Sequence, residues 1–244
     1  MYQPRYYRNW IKKQDLVHFN VIVEETDCLF SADTNLENKA RQSIEKYRAI
    51  LKKYIRSNPL FLTTLEPFSV DQQAPQIVQD MAECGSRAGV GPMAAVAGAI
   101  AQFCARDLAK YTSNLIIENG GDIYLKSQTD RLLGIGAGNS PLSGKIGIEI
   151  AAKNTPLGIS TSSGTVGHSL SFGKADAVVI LADSATLSDA VATAIGNVII
   201  TAEDFSLGIH KAQNIKGVRG VLLIKDDRMM VWGEITIRRT EMSV

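Results

Sequence analysis

The chain has 244 residues, of which 45% are apolar and 21% charged, and 26 basic against 25 acidic side chains leave a formal net charge of +1. Global disorder, collagen, coiled coil and simple repeat arrays are excluded by that composition. The near-neutral balance lacks the basic excess of nucleic-acid binders, so no nucleic-acid partner is expected.

Residues 16–23 (LVHFNVIV) alternate in part and are rich in β-branched residues. With the apolar run 28–32 they predict a hairpin turning through residues 24–27. Thr34 followed three residues later by Glu37 is a capping-box pattern. The helix it opens carries Leu36, Ala40, Ile44, Tyr47, Leu51, Tyr54 and Ile55 on one face, and Asn58-Pro59 ends it. Residues 60–80 have few periodic cues and are broken by Pro67 and Pro75. Gly89, Gly91 and Pro92 then mark a helix start, and that helix is predicted to run to Lys110.

Strands are predicted over 115–118 and 123–125, separated by Asn119-Gly120-Gly121-Asp122. Further strands are expected over 132–137, 146–151 and 177–181. Residues 186–200 predict a helix capped near Ser184 or Thr186. Residues 221–224 and 229–237 predict a closing hairpin turned at Asp226-Asp227. Consecutive strands lie a short turn apart, which favours antiparallel pairing. The expected architecture is one α+β domain over 1–244, with a mostly antiparallel sheet and packed helices.

The longest uncharged run, residues 90–105, is dominated by Gly and Ala and is too short for a membrane helix. The N-terminus lacks the apolar stretch of a signal peptide. A cytoplasmic protein without a membrane partner is expected. Cys28, Cys84 and Cys104 are widely spaced, outside any CxxC arrangement, and point to a reducing compartment and buried packing.

Four segments hold more small and polar residues than a core requires. Gly89 and Gly91 precede the Pro92 helix start, where backbone amides can receive a phosphate or simply pack closely. Asn119-Gly120-Gly121-Asp122 is either a tight hairpin turn or backbone passing close to a ligand. Residues 160–169 hold six hydroxyls, two glycines and His168, a loop able to donate hydrogen bonds to phosphate or ribose and to move a proton. Asp189 and Thr193 stand four residues apart on a helix, so both point the same way. That pair can hold a hard cation through oxygen, or Asp189 can accept loop amides while Thr193 bonds back to its own helix.

In this order the four segments resemble the ApbE-like superfamily, the relatives of FAD:protein FMN transferase. PRYYRNWIKKQDLVHFNVIVEETDCLF and ENGGDIYL are similar, over nearly the whole chain, to a cytosolic single-domain branch. Similarity to the flavin transferases themselves is confined to about residues 85–200: IIENGGDI, ISTSSG and LSDAVATA, the last being the most specific. The resemblance implies a T-fold-like architecture with an FAD or FMN cleft and magnesium. By position it makes Asp189 and Thr193 metal ligands, with a backbone carbonyl near Gly91 as a third. Gly89, Gly91, Asn119, Gly120, Gly121, Asp122, Thr161, Ser162, Ser163 and Gly164 would line the cleft, and His168 would be the catalytic group.

This sequence departs from the transferases in four places. Met93-Ala94-Ala95 replaces their Lys-Gly pair, and Ser169-Leu170-Ser171-Phe172-Gly173-Lys174 follows the His in place of Asp-Pro-Arg-Thr-Gly. Their Met-Gly-Thr segment and lipoprotein signal are missing. Retention of the metal pair points to a phosphate-bearing, flavin- or nucleotide-like small molecule. The resemblance also implies an alternative, a non-enzymatic accessory role in sulfur assimilation and homocysteine formation, which would need a reachable thiol. Exposed strand edges would suit a homodimer.

Overall fold

The computed structural model describes residues 15–164 and 172–240. Strands β1 (Val17–Val23) and β2 (Thr26–Ala32) open the chain as the expected hairpin. Glu24 turns it with φ of 52°, and Arg48 anchors the turn by donating to Glu24 at 2.7 Å and to Thr26 at 2.6 Å. Arg48 belongs to α1 (Glu37–Ser57), whose buried stripe is Ala40, Ser43, Ile44, Tyr47 and Leu51. The capping box does not form. Glu37 is already the first helical residue, and Asn35 rather than Thr34 accepts its amide, at 2.9 Å.

The stretch with few periodic cues holds α2 (Leu60–Thr63) and the start of α3 (Gln76–Ala88). Gly89, at φ of 76°, closes α3 in the left-handed conformation, and Val90 donates to the Gly85 carbonyl at 2.9 Å. A single 3-10 turn, Pro92–Ala95, leads into α4 (Val96–Leu108), which stops two residues short of the predicted end. The chain bends by 104° between α3 and the segment Pro92–Leu108.

The remaining elements are β3 (Leu115–Asn119), β4 (Asp122–Lys126), β5 (Arg131–Gly134), β6 (Ile146–Ile150), β7 (Leu157–Ser162), β8 (Ala177–Ala182), α5 (Ala185–Gly196), α6 (Phe205–Gln213), β9 (Val218–Lys225), β10 (Arg228–Gly233) and β11 (Thr236–Arg239). The large sheet has eight strands in the order β1-β2-β3-β4-β7-β8-β9-β10, and a small sheet has the order β11-β6-β5. Every pairing is antiparallel. The mixed α+β class with a large antiparallel sheet is therefore as the sequence led one to expect.

Helices cover one face of the large sheet and the small sheet packs on the other. Val178 and Ile180 of β8 join the helix-side core with Leu187 and Val191 of α5. Val179 and Leu181 join the second core with Ile148 and Leu133 of the small sheet. Burial on both faces explains why β8 is an uninterrupted apolar run.

Three further sequence expectations change. The hydroxyl-rich stretch begins as strand rather than loop, since Thr161 and Ser162 end β7 and pair with Val179 and Val178 of β8. The last predicted strand is two strands: Gly233 turns the chain at φ of 81°, so β10 stays in the large sheet and β11 crosses to the small one. Helix α5 ends at Gly196 rather than Ile200, while Ser184 caps its start, accepting from Leu187 at 3.2 Å. Among the described residues no single helix is long and apolar enough to cross a membrane.

Helix α4 crosses α5 at Gly98. A Cβ there would lie 2.1 Å from the Ala185 carbonyl oxygen and 2.8 Å from the Asp189 Cβ. Alanine ordinarily strengthens a helix by about 1 kcal/mol over glycine. Here overpacking reverses the sign, so Gly98→Ala is expected to lower stability by about 1–3 kcal/mol. Urea unfolding monitored by circular dichroism checks this, and an unchanged or raised midpoint contradicts the close crossing.

Candidate functional site

The crossing of α4 and α5 borders a cavity of about 480 Å³. Its walls come from the α2 region (Leu62, Leu65), the α3–α4 connection (Gly89, Val90, Gly91, Met93), and α5 with its extension (Asp189, Thr193, Asn197, Val198). Asp122 of β4, Phe172 and Lys211 of α6 complete it. Its size lies within the usual range for small-molecule sites.

Asp189 is only 9% exposed, and its carboxylate accepts the Gly98 amide at 2.8 Å. Burial raises its pKa from the usual carboxylate range to about 7, against the opposing pull of the Gly98 and Ala97 amides. Amide acceptance is one of the two roles its sequence position allows, and Asp189 also lines the cavity. One turn on, Thr193 is half-buried and also lines the cavity.

The glycine bends meet the same hollow by different means. Gly91 is held by a hydrogen bond from its amide to Leu65, at 2.8 Å, and a Cβ there would fall 2.0 Å from the Thr64 carbonyl oxygen. Its own carbonyl accepts from Ala94 at 3.1 Å. Asn119 and Asp122 pair across a hairpin turn in which Gly120 and Gly121 take φ of 71° and 103°. The turn is pinned from both sides. Glu118 accepts the Gly121 amide at 2.8 Å, and Asn119 donates to the Ala97 carbonyl at 3.0 Å. Asp122 is thereby set on the cavity wall, whereas Asn119 is buried and Gly120 is exposed.

The hydroxyl segment lies beside the cavity. Thr161 donates its amide to the Gly121 carbonyl at 3.1 Å, and the Ser162 side chain abuts Gly196. The Gly164 amide donates to Ala175 at 2.9 Å. None of Thr161, Ser162, Ser163 and Gly164 is among the described residues that form the wall. His168 falls outside the described residues. Sequence reasoning missed Lys211, Phe172 and the apolar wall from Leu62 and Leu65. The α6 periodicity, with Phe205, Gly208 and Ala212 buried, could have signalled a helix there.

Among the polar side chains lining the cavity are two carboxylates, Asp122 and Asp189, and the Thr193 hydroxyl, oxygen donors of the kind that suit a hard cation such as magnesium. Among the described residues no group of three or more His, Cys, Asp or Glu side chains could hold a metal. Magnesium needs no such cluster, because it is commonly held by one or two carboxylates together with water and substrate phosphate. A smaller hollow of about 230 Å³ borders the small sheet. Its charged groups are already engaged: Arg219 with Glu234 at 2.7 Å, and Glu149 with Arg238 at 2.6 Å.

Known proteins resemble this chain in sequence and in fold. The model of the family described as AbpE bacteria matches residues 8–217. The chain belongs to this family. A UPF0280 protein of Methanococcus vannielii is 41% identical over 93% of this chain and 95% of its own length. One from Methanosarcina acetivorans is 36% identical over 89% of this chain and 86% of its own. The fold of this AbpE-family chain is also that of the ApbE protein from Thermotoga maritima (TM-score 0.51, 13% identity, 93% of this chain and 97% of that one). The Pseudomonas stutzeri flavinyl transferase ApbE in apo form shares it too (TM-score 0.51, 12% identity, 89% and 94%).

Cys28, Cys84 and Cys104 are all buried, and burial pushes the Cys84 and Cys104 thiols up to about 12. Direct sulfur handling by a reachable thiolate therefore finds no support. All three are expected to resist alkylation by iodoacetamide in native protein and to react once unfolded, as read by intact mass. Labelling of the native chain would contradict that burial.

Asp189 contributes to the pH response of metal-free protein. Its folded pKa exceeds its unfolded one, so the folded state retains a proton that the unfolded chain releases. Its contribution to stability is highest below about pH 4, falls between there and about pH 7, and is flat above. An asparagine side chain at this position cannot ionise but can still accept the Gly98 amide, so Asp189→Asn is expected to flatten that fall. Urea unfolding of both proteins in EDTA, from acid to mildly alkaline buffer, checks this, and parallel curves refute it.

Proposed function

We propose that the protein binds a phosphate-bearing, flavin- or nucleotide-like molecule in the cavity between α4, α5 and α6, together with a magnesium ion at Asp189 and Thr193. The observation that carries this reading is the shared wall: Asp189, Thr193, Asp122 and the Gly91 bend all border one hollow. They come from three separate stretches of chain. The family's likeness to a flavinyl transferase adds support at the level of fold.

Each chain element has a distinct task in this reading. Asp189 supplies the charged oxygen and Thr193 a neutral one. A backbone carbonyl at the Gly91 bend is available as a third donor, because one carbonyl oxygen can serve both Ala94 and a cation. Leu62, Leu65, Val90 and Phe172 give an apolar wall for a planar ring and exclude water from it. The turn Asn119-Gly120-Gly121-Asp122 fixes one wall, and Thr161 supports it by donating its amide to the Gly121 carbonyl, with Ser162, Ser163 and Gly164 following beside the cavity. Magnesium would neutralise phosphate charge and favour its departure. His168 is proposed as the proton-transferring group of any such step. The homodimer and a cytoplasmic setting belong to the same proposal.

The test is a thermal-shift series with FAD, FMN and ADP, each with and without magnesium. At about 100 times Kd a ligand adds about 2.7 kcal/mol, which moves the midpoint of a chain this size by several degrees. At least one ligand is expected to give a shift that magnesium enlarges and that Asp189→Asn removes. Flat responses in every condition refute the reading.

A further inference from the structure

We infer that Lys211 is the anion-binding residue of this cavity, the group that selects ligands carrying a phosphate over the same ligands without one. The inference rests on the ligand reading above and names a residue that neither the sequence motifs nor the family likeness singled out. Lys211 is the one basic side chain among the described residues lining the cavity. It is half-buried, and among the described residues it has neither hydrogen bond nor ion pair. Among the described residues, most other buried or partly buried cations are engaged: Arg131 with Asp15 at 2.8 Å, Arg219 with Glu234, and Lys225 with Asp226 at 2.9 Å.

Its position is fixed by packing. Helix α6 buries Phe205, Gly208 and Ala212. Gly208 brings it close against α5 and its extension, since a Cβ there would lie 2.8 Å from the Ile199 Cδ1 and 3.3 Å from the Ile195 Cγ2. Lys211 immediately precedes Ala212, so it flanks this buried face, and it lines the cavity together with Val198 and Asn197 of the α5 extension. The other ionisable lining groups, Asp122 and Asp189, are acidic. An anion placed against them without a cation would be repelled, whereas the Lys211 ammonium attracts it. The cavity thus offers carboxylates for a cation and a lysine for an oxyanion. An unpaired lysine could instead serve only the carbonyl end of α6 and the solubility of that surface, and the test separates the two.

Affinity is measured by calorimetry for two pairs in the presence of magnesium, FMN against riboflavin and ADP against adenosine. The proteins are the native chain, Lys211→Met, Lys211→Arg, and Lys216→Met as a control at an exposed lysine. Methionine keeps the length and apolar stem, so the fold should persist, and circular dichroism confirms it. Lys211→Met is expected to weaken the phosphorylated member of a bound pair by about 10- to 100-fold, the range for a hydrogen bond to a charged group. It should leave riboflavin and adenosine unchanged. Lys211→Arg should retain most of the discrimination and Lys216→Met all of it. Equal weakening of both members, or no weakening of FMN and ADP, overturns the role of Lys211 while leaving the cavity's function intact. A native chain that binds none of the four compounds overturns both.

Discussion

The Asp189 carboxylate accepting the Gly98 amide is the contact on which the rest of the site depends. It spans the crossing of α4 and α5, which comes so close that the Gly98 position has no room for a side chain. The two helices then frame one wall of the cavity and bring the α3–α4 connection alongside. Burial disfavours the charged form of Asp189, and the amides of Gly98 and Ala97 offset only part of that cost. A carboxylate held in this state gains more from a cation than one already paired with a lysine or arginine. Structure and binding capacity therefore meet in the same side chain.

The sheet contributes by placing its turns. The antiparallel order β3-β4-β7-β8 brings the Gly120-Gly121 turn beside the end of β7, and the Thr161–Gly121 hydrogen bond ties them. Asp122 follows directly and faces the cavity. Glycines matter at two points for different reasons. The left-handed φ at Gly120 and Gly121 makes the tight turn, and the close passage of Thr64 requires the bare backbone at Gly91. Helix α6 closes the remaining side through Gly208 and carries Lys211 with it.

Much of the fold is legible because its signals are local. The β1–β2 hairpin, the face of α1, the glycine turn before β4 and the Ser184 cap of α5 each follow from a few adjacent residues. Helix α3 is harder to read, although Ile77, Val78, Met81, Ala82, Gly85 and Ala88 follow helical spacing, because Pro67 and Pro75 signal a break. The break lies before the helix. Residues 160–162 read as loop because hydroxyls dominate them, yet pairing with β4 and β8 makes them strand. Neighbours across a sheet override weak local preference.

The sequence by itself determined the α+β class, the antiparallel pairing and the helical spacing that puts Asp189 and Thr193 on one side. These depend on periods of two and 3.6 residues, which the chain carries within short windows. Only the tertiary structure decided that Asp189 is buried on amides from α4, that Asp122 and Gly91 share its hollow, and that Lys211 borders it unpaired. The Gly98–Asp189 hydrogen bond alone joins residues 91 positions apart. Such relations arise from helix crossings and sheet order, and no local period encodes them.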